Sequence, residues 1–300
     1  MKKTLLYHVF PVKGNDVWIK NINWLKEYSN DFKIFDRLII SVCIEKNNKD
    51  DYERLVGKHY DLGQRDLVTH TDEDYIKSFF PKDADIQFYE NDPTIGEIYT
   101  FRDMLEKVYS LEDEMTFYAH TKGVSYFKTI KPILTWTESM YKFNLKYVDK
   151  LDEILKKYST AGCFKITNFE HWDLRDKDTK KNWPQTADRL KYAGWHYSGT
   201  FFWFNNKKLF SNDNWNQVDG LHDNPHRHGV EMYFGHVFEQ ASAFEIITSN
   251  QKHLYQQKIW WFIKKNEKKL INPWLTLYIF IYSQVVITRV TNPERPNPPQ

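Results

Sequence analysis

The chain has 300 residues, of which 41% are hydrophobic, 17% aromatic and 27% charged. This composition is typical of a folded protein with a sizeable core and excludes a disordered chain. A formal net charge of +2 is too small for a dedicated nucleic-acid binder, so we expect no nucleic-acid partner. Cys43 and Cys163 lie in separate apolar runs, which argues against a disulfide framework and a thiolate zinc site and predicts reduced, buried thiols.

Strand-like and helix-like segments alternate along most of the chain. Apolar or β-branched runs predict strands at residues 5–12, 38–44, 86–89, 115–119, 161–166, 199–204 and 244–248. Apolar residues at spacings of three and four predict helices at 17–28, 96–109 and 133–158, the last with a possible break, and another helix after Glu231. This alternation predicts an α/β domain with a mostly parallel central sheet flanked by helices.

The C-terminal fifty residues differ in composition from the rest. Six lysines between positions 252 and 269 surround an aromatic run at 259–263, a pairing that suits either a membrane surface or a helix packed on the domain. The apolar run at 274–287 is shorter than the roughly 20 residues of a membrane-spanning helix. We therefore expect a domain at 1–250, a helical basic and aromatic extension at 251–291 with possible membrane contact through 252–290, and a disordered tail at 292–300. The expected location is the cytoplasm, either free or peripheral on the inner membrane surface.

The fourth predicted strand ends in a polar cluster. Tyr118, His120, Lys122 and Gly123 stand where this strand should leave the sheet, and ligands of open α/β sheets bind at that edge. Donors and cations beside a flexible glycine suit an anionic ligand such as a phosphate. The other interpretation of the same residues is a strand followed by a solvated turn.

A second polar cluster lies at the start of the helix predicted at 96–109. Gly96 would allow close backbone approach, and Glu97 could accept hydrogen bonds from a hydroxylated ligand. A helix-starting turn explains these residues equally well.

A third cluster directly precedes the strand predicted at 199–204, and it consists of Trp195, His196, Tyr197, Ser198 and Gly199. Aromatic rings such as these suit sugar faces and nucleobases, although most tryptophans of any domain pack in its core.

Glu231 begins the last predicted helix, after a loop that contains His222, His226, Arg227 and His228. The loop histidines are either metal ligands or surface residues, and we favour surface residues because metal ligands must converge from rigid elements. Glu231 is either a general base that faces a cleft or a helix-start carboxylate paired with Arg227.

Asp83 and Asp85 have the spacing of the aspartate pair that holds a divalent cation in many nucleotide-sugar enzymes. They precede a predicted strand, whereas a metal-binding pair should follow one. We therefore expect no metal role for them.

Four stretches, at 96–101, 118–123, 196–203 and 227–233, resemble in order and spacing a family of bacterial and viral glycosyltransferase-like proteins related to polysaccharide and O-antigen synthesis enzymes. The resemblance implies a GT-A-like, Rossmann-type fold. It also implies a nucleotide-sugar donor, and transfer of a hexose or deoxyhexose to a hydroxyl of a glycan or lipid-linked glycan.

The resemblance also assigns residues to roles. The implied donor-binding residues are Gly96, Glu97, Thr100, Tyr118, His120, Lys122 and Gly123. The implied acceptor- or sugar-binding residues are Trp136, Trp195, His196, Tyr197, Ser198, Gly199 and Arg227. An inverting mechanism needs a carboxylate base, for which Glu231 is the first candidate and Asp173 the second. A retaining mechanism needs no base there, so the stereochemistry stays open.

Many GT-A enzymes hold a divalent metal with an Asp-x-Asp pair at a strand end, where this chain has His120 and Lys122. We expect these two cations to replace the metal, so that no cofactor is required, although a divalent metal is an alternative. The competing function is a non-catalytic carbohydrate- or nucleotide-binding protein on the same fold.

Overall fold

The computed structural model describes residues 1–44, 69–91, 97–124, 130–167, 195–218, 220–223, 225 and 229–247. The predictions for Gly96, Asp173 and Arg227, and those for residues 251–300, lie outside these ranges. The strands within them are β1 (Lys3–Val9), β2 (Arg37–Ile44), β3 (Asp85–Glu90), β4 (Met115–His120), β5 (Thr160–Cys163), β6 (Lys165–Ile166), β7 (His196–Tyr197), β8 (Phe202–Asn205) and β9 (Ala243–Ile247). The helices are α1 (Val17–Tyr28), α2 (Glu73–Lys77), α3 (Ile98–Lys107), α4 (Ile130–Lys146), α5 (Val148–Lys157), α6 (Asn206–Phe210) and α7 (Gly229–Val237).

Seven of these strands form one sheet in the order β3-β2-β1-β4-β8-β5-β9. Neighbours pair in parallel except for β8, which is antiparallel to both β4 and β5. The predicted α/β class with a mostly parallel sheet is therefore confirmed, and the sheet is compatible with a Rossmann-like fold. The strand order reverses between β1 and β4, and the crevice at such a switch point is where open α/β sheets bind ligands.

Side chains alternate along each strand, so each face of the sheet carries its own core. Leu5 and Tyr7 point to the face covered by α1, α4 and α5, together with Trp18 and Met140. Leu6 points to the other face, which is covered by α3, α6 and α7. Each fully buried side chain of this kind contributes about 1.5–3 kcal/mol to stability. The two cores hold the carboxyl edge of the sheet rigid.

The structure refines several predicted element bounds. The strand predicted at 161–166 is divided at Phe164, whose φ of 58° interrupts the extended backbone. The strand predicted at 199–204 begins only at Phe202, because Gly199 and Thr200 have φ angles of 94° and 65° and form a turn. The break that the prediction allowed within the helix at 133–158 is confirmed and lies at Tyr147, between α4 and α5.

The structure also shows the surroundings of Asp85, the state of the two cysteines and the apolar character of the helices. Asp85 begins β3, and its Oδ2 accepts a hydrogen bond from Lys107 Nζ at 2.9 Å, at the sheet edge opposite to His120. Cys43 and Cys163 are free and buried, as predicted. Among the described helices, none is both long enough and apolar enough to cross a membrane.

Candidate functional site

A row of polar side chains crosses the carboxyl edge of the sheet at the switch point. The strand register pairs His8 of β1 with Ser41 of β2 on one side and with His120 of β4 on the other. Paired residues of neighbouring strands point to the same face, so this row lies on the α3 side. Ser41 and His8 are buried. The sheet therefore brings two imidazoles together where a ligand crevice is expected.

The first turn of α3 supplies partners for both histidines. Glu97 immediately precedes the helix, and its Oε2 lies 2.6 Å from His120 Nδ1. Thr100 Oγ1 lies 2.8 Å from His8 Nδ1 and donates a hydrogen bond to the Glu97 carbonyl oxygen at 3.0 Å. Glu97, Thr100, His120 and His8 thus form one connected cluster.

The charges within this cluster follow from burial and proximity. Burial raises the pKa of Glu97, but the cationic forms of His120, His8 and Lys122 outweigh burial and lower the pKa to about 2. Burial lowers the pKa of His8 to about 4, with a smaller opposing effect of Glu97. At neutral pH Glu97 is therefore an anion and His8 is neutral.

The contacts also fix which nitrogen of His8 carries the proton. A carbonyl oxygen can only accept, so the single hydroxyl proton of Thr100 is donated to the Glu97 carbonyl oxygen. The same hydroxyl must then accept from His8 Nδ1. Neutral His8 is therefore protonated on Nδ1.

His120 is engaged at both ring nitrogens. Nδ1 faces the Glu97 carboxylate, and Nε2 lies 3.1 Å from the carbonyl oxygen of Gly199. The Gly199 carbonyl oxygen can only accept, so Nε2 is the donor of that hydrogen bond, while the contact with Glu97 is an ion-pair contact. Direct contact between His120 and a diphosphate, as the sequence led us to expect, would require one of these two contacts to break.

The loop after β4 is held in place by the helix α1 residue Asn21. The Asn21 side chain accepts from Lys122 N at 3.0 Å and donates to Lys122 O at 3.1 Å. Thr121 Oγ1 accepts from Phe10 N at 2.9 Å, which links the loop to the end of β1. The backbone that carries Lys122 is therefore fixed before any ligand binds.

Gly123 and Lys122 complete this half of the site. Gly123 has a φ of 85°, and a Cβ at this position would lie 2.8 Å from Ile133 Cγ2, so the turn requires glycine. Lys122 is only partly buried, and its Nζ lies 5.1 Å from the centroid of the Trp136 ring, within cation–π range. The ammonium group thus stands at the rim of the cluster.

Tyr118 precedes His120 by two positions and points to the same face. Its ring is fully buried and lies 4.7 Å, edge to face, from the ring of Phe101 in α3. Burial first, and then the charge of Glu97, raise the pKa of its hydroxyl well above the usual value. Tyr118 therefore packs beneath the polar residues, in the core on the α3 side, as a neutral phenol.

The turn before β8 connects this cluster to Glu231. Gly199 N donates to Glu231 Oε1 at 2.8 Å, and the same oxygen lies 3.9 Å from His196 Nε2. The Glu231 side chain is 12% exposed. The N–H and the carbonyl group of Gly199 are thus bonded to Glu231 of α7 and to His120 of β4, respectively.

The aromatic residues expected to contact a sugar lie behind this turn. Trp136, Trp195 and Tyr197 are each 1% exposed. Trp195 Nε1 donates to Phe238 O at 2.9 Å and Tyr197 Oη donates to Phe244 O at 2.8 Å, so both polar ends are used within the protein. Ser198 N donates to Phe164 O at 3.0 Å, which fixes the start of the turn. In this structure these residues support the site, and their contact with a sugar stays a prediction.

Sequence reasoning did not identify His8, Ser41 or Asn21 as site residues. A signal for His8 was present, because a histidine at the end of the first strand matches His120 at the end of the fourth. Asn21 also gave a signal, as a polar residue three positions after Trp18 on the apolar face of α1. Ser41 gave none, since a serine within a buried strand is common.

Among the described residues, no group of three or more histidine, cysteine, aspartate or glutamate side chains is arranged to hold a metal ion. The loop residues His226, Arg227 and His228 are not among them. No family model matches the sequence, and no curated protein is significantly similar to it.

Proposed function

We propose that this protein is a glycosyltransferase with a GT-A-like fold that moves a sugar from a nucleotide-sugar donor to a hydroxyl of a glycan. The observation that carries the proposal is that the Gly199 turn joins the end of β4, where Lys122 follows His120, to the carboxylate of Glu231. Glycosyl transfer needs both charges, one for the leaving diphosphate and one for the attacking hydroxyl. The position at the switch point of the sheet supports the same conclusion.

Lys122 is the proposed contact of the donor diphosphate. Its backbone is fixed by Asn21, and its ammonium group stands at the rim of the cluster. A fixed cation stabilises negative charge as it develops on the leaving group, which a divalent metal does in other enzymes.

Glu231 is the proposed general base of an inverting transfer. The acceptor hydroxyl oxygen forms a bond to the anomeric carbon as its proton moves to the Glu231 carboxylate. The bond from the anomeric carbon to the diphosphate breaks, and its electron pair leaves with the nucleotide diphosphate. The Gly199 N–H occupies one lone-pair position of the carboxylate and orients it for this role.

One observation favours the competing function, a non-catalytic carbohydrate- or nucleotide-binding protein. The Glu231 carboxylate and the His120 ring already have partners within the protein, which a purely structural role would also require. Product formation by the wild-type chain separates the two functions.

The decisive experiment is a panel of UDP-, GDP-, CMP- and dTDP-sugars. We expect at least one of them to raise the melting temperature and to serve as donor in a transfer assay. Stabilisation without transfer to any glycan acceptor would favour the binding protein, and no stabilisation at all would contradict a nucleotide-sugar site.

Glu231→Gln tests the base. Glutamine keeps an oxygen that can accept from Gly199 N–H but cannot take up a proton at neutral pH. We expect donor-induced stabilisation to persist and transfer to fall by about 10²- to 10⁴-fold. Transfer at the wild-type rate would remove Glu231 from the mechanism.

Chelation tests the replacement of a metal by Lys122 and its neighbours. We expect transfer to continue at an unchanged rate after treatment with EDTA and gel filtration. Loss of transfer on chelation, with recovery on addition of Mn²⁺ or Mg²⁺, would overturn this part of the proposal.

A further inference from the structure

We propose that Glu97 and His120 are positioning residues that hold the Glu231 carboxylate in place through the Gly199 peptide groups. This inference rests on the proposed function, because it names what orients the base of that reaction. Neither residue needs to touch the sugar or the acceptor.

The chain of contacts is continuous from α3 to α7. The Glu97 carboxylate lies 2.6 Å from His120 Nδ1, and His120 Nε2 lies 3.1 Å from Gly199 O. Gly199 N then donates to Glu231 Oε1 at 2.8 Å. The carbonyl and the N–H of one glycine are thus held by two residues from different elements, on opposite sides of its Cα.

The backbone at this glycine needs such restraint. Gly199 and Thr200 have consecutive φ angles of 94° and 65°, and the left-handed region costs a residue with a Cβ, such as Thr200, about 1 kcal/mol or more. A Cβ on residue 199 would lie 2.6 Å from Met140 Sδ and 2.8 Å from Trp136 Cζ2. Packing behind the turn therefore requires glycine, the residue with the greatest backbone freedom. The bonds to its carbonyl and N–H restrict that freedom.

Glu97 acts by holding the His120 ring in place. Its carboxylate lies 2.6 Å from Nδ1, while Nε2 on the other side of the ring lies 3.1 Å from the Gly199 carbonyl oxygen. Without this carboxylate the His120 ring loses its partner at Nδ1 and can turn, so that Nε2 moves away from the Gly199 carbonyl. The Gly199 carbonyl then loses its donor and the turn can rotate, which moves the N–H that orients Glu231.

A single amide signal reports on this coupling without any substrate. Residues 198 and 199 form the only Ser-Gly pair in the sequence. Labelling serine with ¹³C at the carbonyl and glycine with ¹⁵N therefore selects the Gly199 amide in a carbonyl-correlated spectrum. An amide bonded to a carboxylate should resonate downfield, because charge-assisted hydrogen bonds are the stronger ones.

We expect the Gly199 amide proton to move upfield in Glu231→Gln, where its acceptor is neutral. Under the proposal it also moves upfield in His120→Asn and in Glu97→Ala, although neither change alters the acceptor itself. His120→Gln should give a smaller shift, because a glutamine amide reaches the position of Nε2 whereas an asparagine amide reaches only that of Nδ1. Asp85→Asn, at the opposite edge of the sheet, is the control and should leave the signal in place.

Kinetics separate positioning from direct donor contact. His120→Asn should lower kcat for transfer by about 10²-fold, the effect of a misplaced catalytic group, while the Kd for the donor stays within about twofold of wild type. Transfer by the double variant His120→Asn/Glu231→Gln should be no slower than transfer by Glu231→Gln alone, since both changes affect the same carboxylate group.

An unmoved Gly199 signal in both His120 variants, with all other signals indicating a folded chain, would overturn the inference. A weaker donor Kd with unchanged kcat in His120→Asn would also overturn it, by assigning His120 to the diphosphate. If the Gly199 signal moves in these variants but the wild-type chain transfers no sugar, the positioning contacts are supported and the proposed function is overturned instead.

Discussion

His8 illustrates how a single buried residue links the site to the stability of the whole protein. Its imidazole is buried in the polar row at the carboxyl edge, and its Nδ1 bonds to Thr100 Oγ1 at 2.8 Å. Burial lowers its pKa from 6.5 to about 4. Because the folded state binds a proton less readily than the unfolded state, the stabilising effect of neutral His8 is present above pH 6.5 and is lost as the pH falls towards 4.

His8→Asn should remove this pH dependence while it keeps an N–H near the position of Nδ1. Between pH 7 and pH 5 we expect the wild-type free energy of unfolding to fall by about 2 kcal/mol more than that of the variant. Urea denaturation at the two pH values measures the difference. Titration of Glu97 interferes little with this comparison, because the stability that ionised Glu97 contributes is lost only as the pH falls from 4.5 towards 2. Equal pH dependence in both proteins would contradict a buried neutral His8.

Lys122 is the residue whose replacement should weaken donor binding most directly, in addition to slowing transfer. For Lys122→Met we expect the donor Kd to rise by about 10- to 100-fold, the loss of one charge-assisted contact worth roughly 1.5–3 kcal/mol. Lys122→Arg keeps the charge and should lie close to wild type. Isothermal titration with the donor that the panel identifies gives both values. An unchanged Kd in Lys122→Met would remove this residue from the diphosphate site.

The sequence identifies the polar end of β4 but not the partners of its residues. His120 and Lys122 stand out because they end an apolar run. The contact of His120 with Glu97 depends on where α3 begins relative to β4, and its contact with Gly199 depends on a turn about 80 residues later. Neither distance is encoded in a local pattern, which is why both residues were expected to face a ligand.

Among the elements, α5 ends with a cap that comes from another helix. Lys208 of α6 donates through Nζ to the carbonyl oxygens of Leu155, Lys156 and Tyr158, at 2.8 to 3.0 Å. These carbonyls lie at the C-terminal end of α5, where a cation also complements the helix dipole. The side chain therefore joins α5 to the end of β8.

Lys208→Met should lower the free energy of unfolding by about 1–2 kcal/mol, through the loss of these bonds. Lys207→Met is the matched control, since Lys207 is exposed and lies 3.9 Å from an exposed Asp113. We expect the control to change stability by less than about 0.5 kcal/mol. Urea denaturation of the two variants makes the comparison, and equal effects would contradict the capping role.

The turn at Gly199 allows a second matched comparison. Gly199→Ala should cost about 2–4 kcal/mol, from its left-handed φ and from the clash of the new Cβ with Met140 and Trp136. Gly14 has a similar φ of 84°, but a Cβ there has nothing within 4 Å, so Gly14→Ala should cost only about 1 kcal/mol. Thermal or urea denaturation separates the two. Similar losses would show that packing behind the turn does not require glycine.

Element types were more predictable than their directions. The bounds of α1 match the prediction of 17–28, because Trp18, Ile22 and Leu25 repeat at helical spacing. The apolar run of β8 predicts a strand equally well, but an apolar run carries no information on direction, and β8 is antiparallel to its neighbours. The division at Phe164 was also unpredictable, because a positive φ at phenylalanine is rare.

In the molecule as a whole, one sheet connects nearly the full length of the described chain. Its strands run from Lys3 to Ile247, and its two faces carry separate cores. β9, the last strand, pairs in parallel with β5 at one edge. The seven strands that the structure describes pair with one another without any residue beyond 247.

A chain truncated after Asn250 should therefore fold and keep its stabilisation by the donor nucleotide-sugar. We propose that the lysines between 252 and 269 contact anionic membrane surfaces, and we expect truncation to abolish sedimentation with phosphatidylserine vesicles. Full-length protein at 0.5 M salt is the control, because screening should also weaken its binding. Sedimentation of the truncated chain at low salt would place the membrane contact elsewhere, and its failure to fold would assign the extension to the core.

The short pair of β6 and β7 holds together the two parts of the chain that flank residues 168–194. Ile166 pairs with His196 and Lys165 with Tyr197, so the chain leaves and returns at neighbouring points, two residues before the turn that carries Gly199. A segment anchored in this way can be exchanged for another of different length, because the cost of closing a loop rises only slowly with its length. The described positions on either side, 167 and 195, are thus suitable junctions for exchanging the sequence between them, with His8, His120 and Glu231 left unchanged.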